Sequence, residues 1–285
     1  MKIENECVGC IINQSLKVAN AIGADEKLKK KLLSTVKVMS EDFSFASTPP
    51  EVAADVYERM AQIVQKQDLY DEVKALSTKK ARSFEPFLKQ KLLTCNDKLL
   101  TATKIAVAGN VIDLAAQVEF DLEEELERIF HTEFAHNDFM QFKEALSSAK
   151  NIVILGDNVG EHIFDHLFIQ TLQELYPELQ CTYMVRGNPI INDVTCKEAK
   201  EAGFDKLCNL VDSGVNTPGF VYERATKEAQ ELFDAADLII SKGMGNYECL
   251  TPSHRNNICF LLKVKCNVVA GSLGKEVGNI ICKFV

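Results

Sequence analysis

Five short apolar runs beyond residue 150 constrain this chain more than anything else in it. They are NIVIL (151–155), TYMVR (182–186), LCNLV (207–211), ADLIIS (236–241) and NVVAG (267–271). Text with helical periodicity separates each from the next. Runs that are apolar throughout fit strands buried on both faces, and their alternation with helices is the pattern of a parallel sheet. NIICKF (279–284) adds one more strand of open direction. The fold class predicted is α/β: a Rossmann-like, doubly wound, mainly parallel sheet.

The first half reads differently. TPPEVAADVYERMAQIVQ (48–65) opens with proline at the first helical positions, and DEKLKKKLLSTVKVM (25–39) spaces its apolar residues for a helix. No stretch there reads as a strand. The expected division is a helical N-terminal region over 1–148 and an α/β catalytic domain over 149–285. A chain of 285 residues can bury cores of that size.

In open parallel sheets, ligands bind at the carboxyl ends of the strands, so the residues that follow each run matter most. They are Gly156-Asp157-Asn158, then Asn192 and Asp193, then Asp212. After those come Lys242-Gly243-Met244-Gly245-Asn246-Tyr247, and finally Ala270-Gly271. Any one of these acids could simply cap the next helix, and the glycines could serve turns. Their convergence on one edge, with a lysine directly after an apolar run, points to a site. Two carboxylates and an amide oxygen (Asp157, Asn158, Asp193) suit a hard divalent cation and leave positions open. Lys242 and glycine-lined turns suit phosphate. The net charge of -9 argues against nucleic acid or an anionic membrane as partner. An anionic small ligand therefore needs local positive charge.

GDNVGEHIFD, INDVT, DSGVNTPG and KGMGNYE, in that order, resemble the metal-dependent damage-control phosphatases, domain-of-unknown-function family eighty-nine. AVAGNVIDLA (106–115) and CVGCIINQSLK (7–17) extend the match, the latter resembling the prokaryotic Cys-x-x-Cys subgroup. The resemblance implies a helical region on a Rossmann-like domain, and hydrolysis of sugar phosphates or damaged phosphometabolites with Mn²⁺, Co²⁺, Ni²⁺ or Mg²⁺. It makes Asp157, Asn158 and Asp193 the metal ligands, and beside them Lys242 is expected to act in catalysis by neutralising the charge of the phosphoryl group. Gly245 and Asn246 become part of a substrate-binding stretch, with Lys265 a second phosphate contact and Asn110 reaching the cleft. The Arg-Thr pair that accompanies the lysine in the eukaryotic subgroup is missing, and Met244 stands where glutamine is usual. Attack by a water on the cation is expected, because an aspartate that ligates metal is a poor nucleophile.

Two other features have plainer readings. One Cys7-x-x-Cys10 lacks the further ligands zinc needs, so packing is the expected role. His162 and His166 share a helix face, expected to be solvated. With no apolar leader and ten dispersed cysteines, the chain is expected to be cytoplasmic with reduced thiols. No run approaches the ~20 apolar residues of a membrane span. The rival functions are an S-adenosylmethionine-dependent methyltransferase and a non-catalytic metabolite-binding protein. The first would want a glycine-rich first turn and an acid ending the second strand, where Arg186 stands. The oligomeric state is left open.

Overall fold

Local signals start the helices of the first half. Thr48 and Glu51 form a reciprocal capping box, with Pro49 and Pro50 opening the helix behind it. Such a cap contributes about 1 kcal/mol. The computed structural model describes residues 1–111, 122–251 and 255–285. Asp113, His254 and the side chain of Asn110 lie outside what is described.

The helices in order are α1 (Asn5–Ala21), α2 (Glu26–Ser40), α3 (Pro49–Val64), α4 (Asp71–Ser83), α5 (Glu85–Thr94), α6 (Lys98–Val111), α7 (Leu122–His131) and α8 (Phe139–Ser148). A two-residue strand, β1 (His136–Asn137), interrupts them. The second half runs β2 (Asn151–Leu155), α9 (Glu161–Leu175), β3 (Gln180–Val185), α10 (Cys196–Glu201), α11 (Phe204–Leu207) and β4 (Asn209–Asp212). It continues α12 (Lys227–Ala235), β5 (Leu238–Lys242), α13 (Gly243–Leu250), β6 (Ile258–Lys263), α14 (Asn267–Leu273) and β7 (Ile280–Phe284).

The seven strands lie in the order β1-β7-β6-β5-β2-β3-β4. All pairs are parallel except β6 with β7. The chain moves outward from β2 to β3 and β4, then returns to the other side of β2 with β5 and β6. That reversal between β2 and β5 is the topological switch point, where a crevice opens in such sheets. Alternate residues of β2 face opposite layers. Ile152 and Ile154 pack with α6, α9 and α11, whereas Val153 and Leu155 pack with α12, α13 and α14. Burying each such side chain contributes about 1.5–3 kcal/mol.

One expectation is corrected. NVVAG is not a strand: it forms α14, with Val268 and Val269 buried in different clusters. The fifth long strand is ICFLLK, β6. Lys265 therefore follows β6 directly, at the ligand edge. The helices of the first half also divide unevenly. Residues from Ala81 to Leu146 share one core with the sheet. A separate cluster from Ile3 to Tyr70 takes in Ile190 and Val268, from segments that follow β3 and β6. Helices α1–α3 thus form a roof over the carboxyl edge of the sheet. Among the described residues, no helix is long and apolar enough to cross a membrane.

Candidate functional site

The site begins where β2 ends. A Cβ on Gly156 would stand 2.7 Å from the Tyr183 hydroxyl and 2.9 Å from Val194 Cγ1, so only glycine passes there. Beyond it, the loops after β2 and β3 are stitched together. Asn158 and Asp193 form an antiparallel bridge, Val194 N donates to Asp157 O at 2.8 Å, and Val159 N donates to Asn192 O at 2.8 Å. Ile191 adopts φ +46° in this loop, a left-handed conformation that branched side chains rarely accept. The stitching brings Asp157, Asn158 and Asp193 together although they lie far apart in sequence.

Hydrogen bonding decides which atoms they present. Asn158 Nδ2 donates to Asp157 Oδ2 at 2.9 Å and to Glu161 Oε1 at 2.7 Å. With Nδ2 bonded to both carboxyl groups, Oδ1 points away from them. That oxygen accepts no hydrogen bond from the described residues. Asp193 Oδ2 accepts from Arg186 Nε at 2.8 Å, and its Oδ1 is likewise free of donors among the described residues. Asp157 rests on the start of α13. A Cβ on Gly243 would overlap its Oδ2, and Gly243 has φ +76°.

These groups are all but sealed from water: Asp157 is 7% exposed, Glu161 3% and Asp193 2%. Burial, with the charges of Glu161 and Asp193, pushes the Asp157 carboxyl well above the ordinary carboxylate range. Burial raises Asp193 to about 6, against the pull of Arg186. A cluster of buried acids in this state is short of positive charge. Its donors are hard oxygens, two of them open, which fits a divalent cation taking oxygen ligands. Among the described residues no three His, Cys, Asp or Glu side chains are gathered as a metal site.

The sequence pattern puts Lys242 at the edge, ready for phosphate. The structure instead buries it fully, its Nζ 2.5 Å from Asp165 Oδ1. Tyr183 donates to the other oxygen of Asp165 at 3.0 Å. Burial works against the ammonium, but Asp165, Glu161 and Asp157 outweigh it and raise its pKa. Lys242 is thus the positive floor of the acidic cluster.

Asn246 departs further from expectation. Its Nδ2 donates to Lys242 O (2.7 Å) and Gly156 O (3.1 Å), while its Oδ1 accepts from Phe220 N at 2.8 Å. With both its N–H donors spent on backbone, Asn246 locks α13 to the loops. Gly245 serves packing too, since a Cβ there would overlap Pro218 O. Lys265 is exposed at the mouth, and its N–H donates to Met244 Sδ at 3.2 Å. Asp212 turns away to its own loop, accepting from Gly214 N at 2.7 Å.

The two histidines are not both solvated, since His166 is half-buried and His162 is not exposed at all. His162 is fully buried and its Nδ1 accepts from Gly160 N at 2.9 Å, and burial lowers its pKa to about 3. His166 meets Phe204 edge-on. All ten cysteines are free thiols, with Cys7 buried and Cys10 exposed. Three residues that the motifs alone did not single out complete the site: Glu161, Asp165 and Arg186. Glu161 follows Asn158 at the three-residue spacing that brings side chains together on a helix. Arg186 directly follows an apolar run, the same signal that marks Lys242.

Comparison with known proteins bears on the chain as a whole. Residues 3–281 match the damage-control phosphatase ARMT1-like domain. A damage-control phosphatase of Archaeoglobus fulgidus is 33% identical over the full length of both chains. A damage-control phosphatase of Pyrococcus horikoshii is 30% identical across 99% of this chain and 98% of its own. The crystal structure of a family-eighty-nine protein from Pyrococcus horikoshii superposes with a TM-score of 0.92 at 29% identity, covering 100% of this chain and 99% of that one. With the family model matched over nearly the whole chain and the relatives covered end to end, this chain belongs to the damage-control phosphatase ARMT1-like family.

Proposed function

We propose that this phosphatase is metal-dependent, that Asp157, Asn158 and Asp193 hold a divalent cation, and that it hydrolyses small phosphorylated metabolites. The substrate class is sugar phosphates or damaged phosphometabolites, in keeping with relatives named damage-control phosphatases. One observation carries the reading: three oxygen-bearing side chains meet at the switch point, and the Asn158 and Asp193 Oδ1 atoms are left without donors among the described residues.

Mn²⁺, Co²⁺, Ni²⁺ or Mg²⁺ bound there would supply Lewis-acid charge to a phosphoryl oxygen and acidify a water. The chain's own residues do the rest. Glu161 and Asp157 fix the Asn158 amide, so its oxygen needs no reorientation. Lys242 has two N–H donors beyond its bond to Asp165 and adds positive charge from beneath. Lys265 stands at the mouth to meet the incoming phosphate. Burial strengthens each of these interactions, and phosphoryl transfer depends chiefly on such positioning and charge. Asp157 already binds Asn158 and presses against Gly243, which makes water the better nucleophile.

Release of phosphate from p-nitrophenyl phosphate by the purified protein, with and without each divalent ion, tests the reading. Turnover that rises with Mn²⁺ and vanishes in Asp157→Ala is expected. Full activity in that variant, or in chelator, would remove the metal from the proposal. A screen of phosphorylated metabolites would then define the substrate.

A further inference from the structure

A guanidinium carries five N–H donors and no acceptor. Among the described residues Arg186 spends only one of them, the Nε bond to Asp193 Oδ2. Its side chain is 1% exposed, and its Nη2 is sealed from water with no partner. Buried polar atoms nearly always find partners, and an unmet one calls for an explanation such as a catalytic role or a bound ion. The surroundings say what. Arg186 closes β3, its backbone N donates to Val194 O at 3.0 Å, and it bridges to Thr195, so the side chain starts from a fixed base. Asp193 anchors the near side of the guanidinium. Asp193 is itself one of the residues proposed to hold the cation, so the 2.8 Å bond puts the guanidinium at the border of that site. A ligand that answers both a cation and an unfilled guanidinium end is a multivalent oxyanion.

We propose that Arg186 is a catalytic residue that binds the phosphoryl group: its terminal nitrogens take phosphoryl oxygens while its Nε holds Asp193. The inference rests on the phosphatase reading above and adds a residue to it. It gives one side chain two tasks, tying the placement of a metal ligand to the placement of the substrate. Arginine is required for this because its planar fork meets two oxygens at once, which an ammonium does not do. Lys242, committed to Asp165, does not take this place.

Calorimetric binding of inorganic phosphate at saturating Mn²⁺, together with Mn²⁺ binding alone, tests the assignment in wild type, Arg186→Gln and Arg186→Lys. Wild type is expected to bind phosphate, and both variants to bind it at least about tenfold more weakly while Mn²⁺ still saturates them. Free guanidinium ion added to Arg186→Gln is expected to restore part of the phosphate affinity. Arg186→Lys keeps a cation beside Asp193 and serves as the readout where the glutamine variant unfolds. A loss of Mn²⁺ affinity with phosphate affinity unchanged at saturating Mn²⁺ would overturn the proposal, leaving Arg186 as a prop for Asp193. Wild type that binds Mn²⁺ but no phosphate would sink it equally. Wild type that binds no divalent ion would instead point to failure of the metal reading itself.

Discussion

At the scale of single residues, the site depends on atoms that are missing as much as on those present. Gly243 has no Cβ, and the Asp157 carboxylate occupies the space one would fill. Gly243→Ala is therefore expected to push that carboxylate aside and to force alanine into a left-handed conformation, at about 1–2 kcal/mol. Mn²⁺ affinity and phosphate release should fall together by at least about tenfold, the scale of one lost 1.4 kcal/mol interaction. A Cβ on Gly271, in α14, would meet nothing within 4 Å, and its φ is ordinary, which makes it the control. Gly271→Ala should leave turnover unchanged and raise the melting temperature slightly, because alanine favours helix over glycine by up to about 1 kcal/mol. Calorimetry and thermal melts of the two variants check both statements. If Gly243→Ala binds Mn²⁺ as wild type does, the carboxylate is not placed as described.

At the scale of elements, a buried ion pair pins β5 to α9. Lys242 and Asp165 are each fully buried, 2.5 Å apart, with Tyr183 satisfying the second carboxylate oxygen. Removing one member leaves the other as an uncompensated charge. Lys242→Met should destabilise the fold by about 3–5 kcal/mol, and the double variant Lys242→Met with Asp165→Leu should recover much of that. Urea unfolding of the single and double variants measures both. Equal destabilisation in the two would show that the charges do not compensate each other. The pair also shows where a sequence stops being legible. Lys242 stands out because it follows an apolar run, but its partner lies inside the amphipathic pattern of a helix, where an acid looks like solvated surface. The same limit applies to NVVAG. A five-residue apolar run rich in valine fits a strand or a buried helix equally, and only packing against two different clusters decides it. The two-residue β1 carries no periodicity at all. The ligand edge is legible because β2, β3 and β5 are continuous apolar runs, each ending in a charge or a glycine. The hydrogen-bond assignments of Asn246 and Asn158 are not, since an asparagine in a loop looks the same whether it faces substrate or backbone.

At the scale of the whole molecule, the roof of α1–α3 must stay seated on the sheet for the site to remain closed, and charge buried beneath it resists that seating. Lys74 of α4 reaches Asp68 at 3.0 Å and Glu198 of α10 at 3.5 Å, a satisfied link between the first helices and the sheet layer. Glu248 on α13 is different. It is half-buried, and its charge is felt by Cys7 of α1, Cys266 before α14, Cys249 and the Met1 amine. Burial raises its pKa to about 7, with the Met1 amine pulling the other way. The folded chain therefore keeps a proton that the unfolded chain releases near the ordinary glutamate value of about 4.3. A carboxyl raised on folding favours the folded state below the unfolded value, and that advantage is lost as pH rises towards the folded value. The protein should be most stable near pH 5 and weaken towards pH 8, with Glu248 contributing about 2 kcal/mol to the difference at about 1.4 kcal/mol per unit. Glu248→Gln removes the ionisable proton while keeping the shape. It should flatten the slope between pH 5 and pH 8 and raise the melting temperature at pH 8, with little change at pH 5. Unfolding curves at both pH values decide the point. A slope that persists unchanged in Glu248→Gln would assign the pH dependence to the acids of the site itself and leave the seating of the roof indifferent to this carboxyl.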